Sequence, residues 1–374
     1  MGSKSIFISF WAFGLLNNVL YVVILSAAVD LVGPIVPKAI VLLADVLPSF
    51  IIKLTAPFFI HLVPYAKRIT SLVCLSMIGM LLVTFGSLQW KLFGVMLASL
   101  SSGLGELTFL QLTHFYEESS LNGWSSGTGG AGLVGSGLFL LMTTILKVEV
   151  KTTLLLFGVF PLGFLHYFGL PNVQSYELSQ TEALALDTKT HIQKTFQKLK
   201  KLFFCFMVPL STVYLAEYLI NQSVSPTLLF PLRETPFSKY RDIYVTYGTL
   251  YQLGVFISRS SAVFVRIHNL YIPSILQGVN VVVLILQSLY YFIPNVYLIM
   301  LIMFYEGLLG GAAYVNTFML ILDTVPGDER EFSLGATSLS DSAGIVISAL
   351  IGLWLEPSLC GYQVEHGREW CRLP

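Results

Sequence analysis

Residues 6–29 read IFISFWAFGLLNNVLYVVILSAAV, without one formally charged side chain. As an α-helix this stretch extends about 36 Å at 1.5 Å per residue, enough to cross a hydrocarbon core of about 30 Å. Its apolar residues run continuously and do not alternate. That pattern belongs to a helix and not to a strand of a membrane β-barrel. Only Met1 to Ser5 precede it, and no small-residue cleavage site follows a short apolar core, so it reads as a retained span and not as a signal peptide.

The same pattern recurs along the chain. Further spans are expected at 35–60, 69–88, 92–116, 124–146, 152–170, 202–230, 243–265, 270–292, 295–322 and 332–355. Span 35–60 is the least regular, with Asp45, Lys53, Pro37, Pro48 and Pro57 inside it. The composition agrees: 374 residues, 55 % hydrophobic and 11 % charged, against about a quarter charged in soluble domains. The 21 basic and 21 acidic residues balance, which excludes a nucleic-acid binder. Four Cys cannot staple a chain of this length. The expected fold class is an all-α polytopic membrane protein embedded in the lipid bilayer.

The long polar segment 171–201 carries Lys189, His191, Lys194, Lys198, Lys200 and Lys201. The positive-inside rule makes this loop cytosolic, and the N-terminus with it. Eleven spans then put the C-terminus on the other side. Short similarities recur between the halves: Leu15-Leu16-Asn17-Asn18 with Leu219-Ile220-Asn221-Gln222, Thr108-Phe109 with Thr317-Phe318, and Ala131-Gly132-Leu133-Val134 with Ala343-Gly344-Ile345-Val346. Their shared order suggests a parallel repeat, as in major-facilitator transporters, with six spans in the first half and five in the second. The expected organisation is a six-helix half at 1–170, a basic linker at 171–201, a five-helix half at 202–355 and a polar lumenal tail at 356–374.

Several motifs carry a family resemblance. NNVLYVVILSAA (17–28), GELTFL (105–110), GWSSGTGGAG (123–132), EYLINQ (217–222), YQLGVFISRS (251–260) and YEGLLGGAAYVNTF (305–318) resemble battenin, the Batten-disease protein family, especially its yeast vacuolar members. The likeness runs from residue 10 to about 360. It implies a lysosomal or vacuolar multi-pass protein, distantly major-facilitator-like. The family is linked to clearing glycerophosphodiesters, and its yeast members to vacuolar pH and basic amino-acid balance. The chain departs from the family in its short middle loop. The last four residues, Cys371 to Pro374, also make a poor prenylation box. Cys360 and Cys371 fit either a lumenal disulfide or two free thiols.

An ionisable side chain inside a span marks a functional candidate, because it costs free energy unless paired or hydrated. In a two-half transporter spans 1, 4, 7 and 10 line the central cavity. The substrate-binding candidates are Asn17, Asn18, Tyr21, Glu106, Gln111, Glu217, Asn221, Gln222, Arg259, Tyr305, Glu306 and Asn316. Tyr214 lies among them. Glu106, His114, Glu217 and Glu306 are the proton-coupling candidates. A phosphodiester wants the planar fork of an arginine, and Arg259 is the one Arg expected inside a span. A cationic amino acid such as arginine wants the three glutamates. The amides fit interhelical packing equally well. Gly127 to Gly132 literally match G-x-G-x-x-G, but an apolar span follows with no strand before it, so they read as helix-packing glycines.

A lipid-modifying enzyme is disfavoured. Six His cannot supply a di-iron battery, H-E-x-x-H is absent, and no Ser or Cys has an evident His partner. No cofactor and no metal are expected. Three functions remain: export of glycerophosphodiesters, transport of basic amino acids with vacuolar pH homeostasis, or a non-transporting trafficking protein.

Overall fold

The computed structural model describes residues 2–27, 38–171, 188–262, 264–368 and 371, and these are helix and connecting turns with no strand. Residues 28–29 of the first expected span, 35–37 of the second, 263 of span 243–265, loop residues 172–187 and tail residues 369, 370 and 372–374 lie outside the described residues. Eight described helices are long and apolar enough to cross a membrane. The other three expected spans also form helices: Lys38–Thr55, the second limb of Leu88–Leu140, and Tyr240–Ser260. Large apolar side chains such as Phe85, Ile275, Leu350 and Trp354 stand exposed on the outside, as lipid-facing residues do and water-facing ones rarely do.

The chain divides into two compact units, Met1–Phe204 with Phe318–Leu339, and Cys205–Thr317 with Ser340–Pro374. The first unit holds α1 (Ser3–Ser26), α2 (Lys38–Thr55), α3 (Tyr65–Phe85), α4 (Leu88–Leu140), α5 (Val150–Gly158) and α6 (Thr188–Leu202). α4 is helical over 53 residues, yet it is not straight. Phe109 and Trp124 would lie about 22 Å apart along a straight helix, but their ring centroids are 5.4 Å apart. α1 reports the same reversal. Asn17 meets Ser102 and Phe10 meets Tyr116, an antiparallel order, whereas Phe7 meets Gly123, Trp11 meets Gly127 and Val22 meets Gly135, a parallel one. The expected spans 92–116 and 124–146 are therefore two limbs of a hairpin whose turn keeps helical hydrogen bonds.

Gly127 is the reason the second limb lies so close to α1. A Cβ there would collide with the Trp11 carbonyl oxygen, so backbone meets backbone. On the first limb, α2 runs alongside, with Ser49 against Ser99 and Gly103. α3 packs on the same limb through Ser76 and Ser101.

The second unit contains α7 (Val208–Leu219), α8 (Tyr240–Ser260), α9 (Tyr271–Tyr290), most of α10 (Val296–Thr324) and α12 (Leu339–Glu365). α11 (Gly327–Thr337) belongs to the first unit, where Gly335 sits on Gln111 and Glu331 accepts a 2.6 Å hydrogen bond from the Tyr65 hydroxyl. α7 continues through a π-helical turn, Ile220–Val224. Gly307 of α10 lies against the Tyr251 carbonyl of α8 with no room for a Cβ. Gln363 of α12 donates to the carbonyls of Thr227 and Ser288, at 2.9 and 2.8 Å, pinning the end of that helix.

Candidate substrate and ion sites

The first unit buries an ion pair. Lys53 of α2 donates to Glu106 of α4 at 2.5 Å, and both side chains are largely removed from solvent. The structure thus supplies Glu106 with a fixed cationic partner. Asn17 donates to the Ser102 carbonyl and to Asn18, each at 3.1 Å, and Ser102 returns a hydroxyl to the Asn17 carbonyl. These amides tie α1 to α4. Asn17 and Tyr21 also border a small cavity shared with Asp45 and Ser76.

Gln111 is committed to an arginine that sequence reasoning left outside the membrane. Arg68 is 1 % exposed. It donates to Gln111 and to the carbonyls of Ile60 and Val63, each at 2.7 Å, and lies over the Tyr65 ring. The expectation that Arg259 is the one arginine inside a span is corrected. α3 begins at Tyr65, four residues before the expected start, and takes Arg68 into the bundle. The signal was Pro64, since helices commonly start beside a proline. His114 is half-buried against the Phe115 ring, in the field of Glu331 and Arg330 at the α11 end. It is two turns of α4 and about 12 Å from Glu106.

The second unit gathers the densest polar cluster. Arg259 of α8 is buried, donates to the Tyr214 hydroxyl of α7 at 2.7 Å, and stacks over the Tyr314 ring of α10 at 4.0 Å. Glu217, one turn beyond Tyr214 on α7, accepts from the Tyr251 hydroxyl. Its carboxylate occupies the space that Gly310 leaves by lacking a side chain. Asn221, in the π-helical turn, donates to Glu306 at 2.9 Å and to the Glu217 carbonyl at 3.0 Å. Each glutamate keeps one buried oxygen without a hydrogen-bond partner. Asp341 accepts from Ser342 at the start of α12.

Two candidates stand apart from this cluster. Tyr305 faces outward from α10 at 38 % exposure, because it neighbours the buried Glu306 and so points about 100° away. Asn316 accepts from the Ile267 backbone at 2.8 Å and donates to the Ala312 carbonyl, which fastens the α8–α9 connection to α10. Gln222 is half-buried in the π-helical turn. No group of three or more His, Cys, Asp or Glu able to hold a metal occurs among the described residues. Cys360 and Cys371 are free thiols in this structure.

Two helical units with acids and arginines inside apolar spans describe a polytopic membrane protein with a major-facilitator-like fold. Solved structures agree on that fold. A bacterial homologue of the iron transporter ferroportin in the outward-facing state aligns over 100 % of this chain and 95 % of its own, with TM-score 0.62 and 16 % identity. The major facilitator superfamily proton:xylose symporter XylE aligns over 99 % and 91 %, with TM-score 0.60 and 11 % identity. Within that class the chain belongs to the CLN3, or battenin, family, whose model, described as CLN3 protein, matches residues 8–187 and 171–362. Protein BTN1 of Yarrowia lipolytica is 60 % identical over 98 % of both chains, and Protein BTN1 of Saccharomyces cerevisiae is 52 % identical over 99 % of both.

Proposed function

We propose that this chain is a transporter of the vacuolar or lysosomal membrane that exports glycerophosphodiesters by alternating access, driven by protons. The halves of that cycle are residues 1–170 and 202–355, with the N-terminus and the linker 171–201 in the cytosol. The observation that carries the reading is Arg259. Among the described residues of the second unit it is the buried guanidinium, and its plane is set by the Tyr314 ring and the Tyr214 hydroxyl. A phosphodiester has one negative charge and oxygens that match such a planar donor fork, while phenols and amides suit the glycerol hydroxyls. Glu217 and Glu306, each with an open buried oxygen, are proposed as the proton carriers. Asn221 and Tyr251 hold those carboxylates in place.

The same two glutamates favour a second reading, transport of a basic amino acid such as arginine. Uptake of labelled glycerophosphocholine, glycerophosphoinositol and arginine into proteoliposomes, with and without a pH gradient, separates the two. Saturable phosphodiester flux supports the first, and selective arginine flux the second. No flux of any of them would sink both.

A further inference from the structure

Asp45 is used by neither reading. It sits mid-way along α2 at 4 % exposure, and its Oδ2 has no hydrogen-bond partner. A buried carboxylate costs several kcal/mol unless a cation compensates it or a proton neutralises it. Lys53, two turns further along α2, is already held by Glu106 at 2.5 Å. Asp45 instead borders a cavity of about 10 Å³ together with Asn17, Tyr21, Ser76, Ser101 and Ser102. That is the room one water-sized particle needs.

The serine hydroxyl hydrogens around this cavity are committed elsewhere. Ser76 donates to Ser101 at 2.7 Å, Ser101 to the Leu72 carbonyl at 2.9 Å, and Ser102 to the Asn17 carbonyl at 3.3 Å. Asn17 spends its amide hydrogens on Ser102 and Asn18. Beside the Tyr21 phenol and the apolar walls of Leu16, Leu20, Ala98 and Phe164, what remains is serine lone pairs and one carboxylate, polar groups that suit a cation and not an anion. One carboxylate balances one charge. Ca²⁺ gathers six to eight oxygens, and Mg²⁺ keeps a shell of waters that this volume cannot hold.

We propose that Asp45, with the hydroxyls of Ser76, Ser101 and Ser102, binds a single Na⁺ ion inside the first unit. The ion neutralises the Asp45 carboxylate and ties α2, α3 and α4 together. The site is independent of the substrate reading, because its occupancy is measured without substrate. Among the residues around the cavity, Asp45 brings the carboxylate and Tyr21 a phenol. The Lys53–Glu106 pair lies beyond them. Protonation of Asp45 therefore competes with Na⁺.

The experiment is thermal unfolding of the full-length protein in detergent, with NaCl or KCl replacing choline chloride at constant ionic strength and neutral pH. Na⁺ should raise the melting temperature saturably, and K⁺ much less. Asp45→Asn should abolish the response, and Ser76→Ala should weaken apparent Na⁺ affinity roughly tenfold. Radiolabelled Na⁺ binding to the wild-type protein keeps the test decisive where Asp45→Asn does not fold. The absence of both a Na⁺-specific shift and Na⁺ binding would overturn the site. So would a full Na⁺ response in Asp45→Asn. Stabilisation by acidification alone, with none by Na⁺, would also overturn it by making Asp45 a protonated structural acid.

Discussion

Arg259 shows what a single side chain contributes when its plane is fixed. Arg259→Lys keeps the charge but loses the fork and the stack on Tyr314. Phosphodiester flux in correctly inserted protein should fall roughly 10- to 100-fold, as about 1.4–3 kcal/mol of positioning is lost. Proteoliposome uptake reads this directly. Lys53 and Glu106 are a second case. Breaking the pair with Lys53→Met leaves a buried carboxylate and should cost about 3–5 kcal/mol, whereas Lys53→Met with Glu106→Leu should recover most of it. Chemical or thermal unfolding of the two variants compares them. Outside the spans, burial and the neighbouring Cys360 push the Cys371 thiol up to about 12. An elevated value means less thiolate at neutral pH than an ordinary cysteine, whose pKa is about 8.5, would carry. Maleimide labelling of Cys371 should therefore be slow at neutral pH and keep rising well past the range where exposed thiols level off. The intramembrane acids were legible one by one, since a charge in an apolar run stands out. Their partners were not: the Lys53–Glu106 pair joins residues 53 positions apart, and the burial of Arg68 followed from a helix start four residues earlier than its hydropathy suggests.

At the scale of elements, α4 is instructive. The polar stretch from Glu117 to Asn122 marked a break between two spans, and the chain does reverse there. Local hydrogen bonding does not reveal that break, since the backbone stays helical through it. The small residues from Gly123 to Gly135 were readable as a packing face, and α1 lies on it. Gly127→Ala should be strongly destabilising, by about 1–3 kcal/mol or more, because the new methyl meets the Trp11 carbonyl and neither backbone can yield. Gly137→Ala, in open space on the same limb, should be neutral or stabilise by about 0.5–1 kcal/mol through helix propensity. Melting temperatures of the pair test this. The π-helical turn at Ile220–Val224, which brings Asn221 to Glu306, has no comparable sequence signal.

For the whole molecule, the proposed cycle makes proton carriage separable from substrate binding. Glu217→Gln retains the hydrogen-bonding shape beside Tyr251 but carries no exchangeable charge. Phosphodiester flux should persist while its response to an imposed pH gradient disappears, and an unchanged gradient response would count against Glu217 as a carrier. The grouping of Phe318–Leu339 with the first unit is a property of the molecule and not of any stretch of it. Length, hydropathy and motif by themselves determined the membrane class, the all-helical fold and the family, because the need for about 20 apolar residues per crossing is local and written in composition. The tertiary structure alone decided which polar side chains share an interior. It drew Arg259, Tyr214, Glu217, Asn221 and Glu306 together, sent Tyr305 outward, gave Lys53 to Glu106, and left Asp45 facing a cavity. The physical reason is that a buried charge must find its partner across helices, and such partners are set by rotation and approach of whole elements, which the linear order of residues does not encode.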